Sequence, residues 1–98
     1  MALIRSVRGH TPNLPDDIFL ADNATVIGDV AMGTGCTVWY NAVIRGDVNS
    51  IRIGSETNIQ DFVMVHCTYQ YAETQIGSRV SIGNGAIVHG CTIHDDVL

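Results

Sequence analysis

Residues 24–44 read ATVIGDVAMGTGCTVWYNAVI. Within this stretch Val26, Met32, Val38 and Ile44 recur every six positions. The rhythm resumes with Ile53, Ile59 and Val65, and again with Ile76, Ile82 and Val88. It is interrupted at GDVNSIR and at CTYQYAETQ, and a last step of five leads from Val88 to Ile93. Six is not a helical period. It suits short strands of even parity joined by turns, so that the same face of the chain returns at each step. Four places after these aliphatics there is usually a small or β-branched residue: Cys36, Ala42, Thr57, Val63, Val80, Ala86 and Thr92. One place after it there is often glycine: Gly33, Gly54, Gly77 and Gly83. The aliphatic and the small residue are expected to point inward and the intervening slot outward. This is the pattern of an all-β parallel β-helix built from hexapeptide units. A β-sandwich of alternating strands would not hold a six-residue phase across three blocks.

The 98 residues make one domain. Residues 1–17, with Pro12 and Pro15, are expected to form a lead-in strand and loop covering the first coil. Residues 18–98 are expected to form the coils, with a polar and aromatic loop pushed out at 68–75. The chain stops at DDVL in mid-pattern. A solenoid needs a cap over its open end. The reading is therefore a piece truncated at its C-terminal side, or an end covered by another subunit.

Hydrophobic residues make up 46% of the chain and charged residues only 15%, which excludes a disordered chain. The formal net charge of −5 argues against nucleic acid and anionic membrane as partners. No apolar run reaches the roughly 20 residues of a membrane-spanning helix, and MALIRSVRGH lacks the apolar run of a signal peptide. Cys36, Cys67 and Cys91 are odd in number and lack C-x-x-C spacing. A reducing, cytoplasmic location is therefore expected.

The outward slots hold Trp39, Arg45, Gln60, His66, His89 and His94. If three hexads make one turn, the slots after His66 are Gly77, Gly83 and then His89, once the loop is skipped. His66 and His89 are thus expected on adjacent coils of one face, about 4.8 Å apart. Two imidazoles at that spacing can converge on one ion, with Zn–N distances of about 2.0–2.1 Å. His94 falls on the next face. Two histidines are too few for a zinc site, so the remaining ligands must come from water or another subunit. Arg45 and Asp47, in RGD, are candidates for an interface ion pair.

Taken together, NAVIRGDVNSIRIG, TNIQDFVMVH and GNGAIVHGCTI strongly resemble the γ-class carbonic anhydrase-like hexapeptide-repeat family. The resemblance runs from about Pro15 to Leu98. It implies a left-handed parallel β-helix and a homotrimer. It also implies zinc (Zn2+, or another divalent metal) between subunits, held by two stacked histidines of one chain and a third from the next. By position, His66 and His89 match the stacked pair. The third ligand position, five residues before His89, is Asn84. Arg45 and Asp47 match the subunit-bridging pair, and Gln60 and Asp61 match the residues beside the metal water. His94 matches no ligand. The implied activity is CO2 hydration by a zinc-bound hydroxide at the subunit interface.

Two departures bear on that activity. Asn84 is a weak zinc ligand beside imidazole. Val48 and the stretch CTYQ stand where archetypal members carry proton-shuttling glutamates. The expectation is a metalloprotein of weak or no hydratase activity. A hexapeptide acyltransferase acting on an acyl-CoA thioester, with His66 or His89 as general base, is the alternative reading. A non-catalytic trimeric scaffold is another.

Overall fold

A computed structural model describes residues 1–70 and 72–98. The described residues form eleven short strands and no helix. They wind as a left-handed parallel β-helix of about four turns. The first face carries β1 (Leu3–Arg5), the start of β3 (Thr25–Met32), the start of β5 (Val43–Ile53), β7 (Met64–His66) and β10 (Ile87–His89). The second carries the ends of β3 and β5, then β8 (Thr74–Ile76) and β11 (Thr92–Ile93). The third is a separate sheet of β2 (Phe19–Leu20), β4 (Thr37–Val38), β6 (Asn58–Ile59) and β9 (Ser81–Ile82).

Register turns the six-residue rhythm into stacked ladders. On the first face Ile4 pairs with Val26, Val26 with Ile44, Ile44 with Val65 and Val65 with Val88. On the third face Leu20, Val38, Ile59 and Ile82 follow one another in the same way. Every aliphatic of the three sequence series is buried, the most exposed being Met32 at 7%. Burying each such side chain stabilises the fold by roughly 1.5–3 kcal/mol. Cys36, Ala42, Thr57, Val63 and Val80 are buried beside them. In the last turn Ala86 is half-buried and Thr92 exposed.

The corners rest on backbone that most residues avoid. Asn41, Phe62 and Gly85 stand at the same corner of successive turns, between the third and first faces, with φ of 63°, 62° and 71°. Asparagine and glycine tolerate this left-handed region, whereas a bulky residue costs about 1–2 kcal/mol there. Asn23 and Asn41 brace this corner by exchanging two hydrogen bonds of 2.9 Å. After the second face, a Cβ on Gly54 or Gly77 would run into the next turn's backbone. That is why glycine fills those outward slots.

The expected lead-in strand within residues 1–17 is β1, and it adds a rung to the first coil. β1 pairs in parallel with β3, and Asn13 bridges to Ala31 on the second face. The expected loop at 68–75 ends earlier, because β8 opens at Thr74. Thr74 is fully buried, and its hydroxyl donates to the His66 carbonyl at 2.7 Å and accepts from Gly90 N at 2.9 Å. Within the expected loop, Tyr71 lies outside the described residues.

Candidate metal centre

His66 ends β7 and His89 ends β10, and the two are direct partners in the parallel register. The alternation that buries Val65 and Val88 turns both histidines outward. Their rings stack with centroids 4.0 Å apart and planes 14° from parallel. The coil count made from the sequence leads to this geometry. Partial burial holds the His66 imidazole below its usual pKa, with the neighbouring His89 and Arg45 charges acting the same way against an opposing pull from Asp47. A neutral ring leaves a nitrogen lone pair free, as metal ligation and proton abstraction both require.

Arg45 follows Ile44, which pairs with Val65, so Arg45 stands one turn before His66 on the same face. Its Nε lies 3.4 Å from Asp47 Oδ1. Both of these atoms are buried and make no hydrogen bond among the described residues. The pair is a single contact, not the bidentate fork that arginine can form.

The other site residues lie elsewhere on the chain. Gln60 follows β6 on the third face, and its amide donates to Ser81 Oγ at 3.3 Å. Asp61 and Asn84 stand at the next corner, before the first face. Gly85 N donates to the Asp61 carbonyl at 2.9 Å, and the β6–β9 register continued two residues sets Asn84 one turn beyond Asp61. Asn84 is exposed between two glycines whose missing Cβ atoms would meet nothing. His94 follows Ile93 on the second face and is exposed, apart from the histidine pair. Among the described residues, no three His, Cys, Asp or Glu side chains converge as a metal site.

Sequence reasoning missed Thr68. Its hydroxyl lies 3.0 Å from His89 Nε2. The signal was available in part, because Thr68 follows His66 by two residues, the spacing that returns a strand to the same side.

No family model matches the chain. It is 44% identical over 98 residues to "Gamma carbonic anhydrase 2, mitochondrial" of Arabidopsis thaliana, covering 95% of this chain and 35% of that protein. It is 54% identical over 82 residues to "Probable carbonic anhydrase" of Methanocaldococcus jannaschii, covering 84% and 51%. The chain belongs to the γ-carbonic anhydrase-like hexapeptide-repeat family. Solved structures of the hexapeptide fold agree. A putative acetyltransferase of Bacillus cereus superposes with a TM-score of 0.89 at 34% identity, covering 93% of this chain and 52% of that one. A hexapeptide transferase family protein of Anaplasma phagocytophilum superposes with a TM-score of 0.86 at 41% identity, covering 92% and 52%. This γ-carbonic anhydrase-like chain thus spans between a third and about half of the length of these relatives.

Proposed function

We propose that this chain supplies two histidine ligands to a divalent-metal site shared between copies in a homotrimer, and that the site acts on CO2 or bicarbonate. The stacked, register-paired His66 and His89 carry this reading. Two imidazoles provide part of the three-ligand set of a catalytic zinc site, and the described residues of the chain offer no third. The set closes if a neighbouring copy presents Asn84. Its amide oxygen is a harder donor than imidazole, which weakens a hold on zinc. When bound, a divalent ion supplies Lewis acidity that brings the pKa of a water toward about 7.

The chain's own residues support that arrangement. Ile87 lies on the same outward side as His89, two residues before it, and is 71% exposed. It gives a neighbouring copy apolar surface to pack on. Asp61 shares the corner with Asn84, so any packing that carries Asn84 to a neighbour's histidines carries Asp61 with it. Gln60 and Asp61 would then orient substrate and water. Arg45 and Asp47 stand beside the pair with side chains 43% and 31% exposed, which leaves the outer guanidinium and carboxylate atoms free to bridge to another copy.

Elemental analysis of the purified chain, with its His66→Ala and His89→Ala variants, tests the reading. Bound divalent ion lost in both variants, together with chelator-sensitive CO2 hydration, is the expected result. No bound ion in the parent chain overturns it. The transferase names of the two solved structures favour a second reading. In that reading the neutral His66 is a general base for acyl transfer from an acyl-CoA thioester. Thioester turnover that survives a chelator is its signature.

A further inference from the structure

His89 is flanked by the His66 ring on one side and reached by a hydroxyl on another. Thr68 Oγ1 lies 3.0 Å from His89 Nε2, and the backbone around this contact is fixed from both ends. Thr68 N donates to the Ala72 carbonyl at 3.1 Å, and Ala72 N returns a bond to the Thr68 carbonyl at 3.3 Å. Asn49 Nδ2 also reaches the Thr68 carbonyl, at 3.5 Å. On the histidine side, Gly90 N donates to the His66 carbonyl at 3.2 Å and to Thr74 Oγ1 at 2.9 Å.

Gly90 makes the contact sterically possible. Its φ is +54°, and a Cβ there would come within 2.8 Å of Thr68 Oγ1 and 3.2 Å of Ala72 Cβ. Any side chain at position 90 would push against the hydroxyl. The absence of a side chain after His89 and the hydroxyl two residues after His66 therefore act together, although they are far apart in sequence.

We propose that Thr68 is a positioning residue for the histidine pair. Its hydroxyl holds the His89 ring plane against His66 in the metal-free protein through Nε2, which leaves Nδ1 as the His89 nitrogen open to a divalent cation. The inference rests on the reading of His66 and His89 as ligands. Its physical basis is general: a hydrogen bond to a ligating histidine fixes ring orientation, and its loss typically lowers metal affinity by about 10–100-fold.

The test uses the full chain with Thr68→Val, which keeps the shape and removes the hydroxyl, and Thr68→Ser, which keeps the hydroxyl. Two readouts are taken: the His89 ring signals by NMR without metal, and the affinity for Co2+ from its visible absorption. Thr68→Val is expected to shift the His89 ring signals and to weaken Co2+ binding about tenfold, with Thr68→Ser within about twofold of the parent. Parent-like ring signals and affinity in Thr68→Val overturn the proposal. So does a Thr68→Ser variant as impaired as Thr68→Val. If the parent binds no Co2+, the ligand reading of the pair fails. The ring signals still decide the positioning contact, since a shift in Thr68→Val that Thr68→Ser reverses supports it.

Discussion

The histidine face and the corner that carries Asn84 are built in opposite ways. His66 and His89 stand over a continuous ladder of Ile44, Val65 and Val88, all buried. Their stacking follows from strand register, and buried Thr74 ties the His66 carbonyl to Gly90. Asn84, by contrast, is exposed, and no hydrogen bond of its side chain appears among the described residues. The corner also holds Phe62, 66% exposed in a left-handed conformation that bulky residues avoid. One half of the proposed site is therefore assembled by the chain itself. The other half stands exposed on the surface.

Ile44→Ala probes the first half and has the largest expected effect. It should cost about 2–5 kcal/mol in urea denaturation and disturb the histidine stack above. Asn84→Ala should leave fold stability within about 0.5 kcal/mol. A comparable loss at both positions would erase the distinction between the two regions.

Phe62→Asn sharpens the comparison at the corner. Asparagine relieves the left-handed backbone, and the chain gives up no buried ring, so the isolated fold should gain about 1 kcal/mol. Association between copies should weaken at the same time if the ring is covered there. Sedimentation velocity together with thermal melts separates the two effects. A destabilised monomer would show that the ring already has a partner within the chain.

The smallest expected effect is a pH dependence confined to the histidine face. The folded state holds His66 below its ordinary pKa of 6.5, so the unfolded chain takes up that proton first as pH falls. Stability from this group is whole above about 6.5 and declines as pH drops below it. The fall in Tm between pH 7.5 and 5.5 should therefore be shallower in His66→Asn than in the parent. Equal slopes would remove His66 from the account.

The residues explain how far the sequence could be read. The six-residue rhythm of Val26, Met32, Val38 and Ile44 is a local pattern that carries the inward face directly, and with it the stacking of His66 on His89. Thr74 was hidden because a hydroxyl in a polar stretch resembles a loop residue. Its burial depends on a carbonyl at His66 and an amide at Gly90, which only the wound chain brings near. A lead-in strand was legible within residues 1–17, but the register of Leu3–Arg5 on β3 was not, since one rung at the start of a repeat has no earlier copy to show its phase. The two-residue step from His66 sets Thr68 on the histidine side, but the contact with His89 also requires the glycine at position 90, a turn away, which that spacing does not reveal. Gln60, Asp61 and Asn84 stay apart from the pair on their own chain, so the proposed role of each needs a neighbouring copy.

The central claim is that position 84 decides whether the two histidines become a full metal site. Asn84→His tests it most directly, with zinc content per chain measured by elemental analysis alongside chelator-sensitive CO2 hydration. A substantial rise in both, toward one zinc per chain, is the predicted result. Zinc content and hydration unchanged from the parent would contradict the claim.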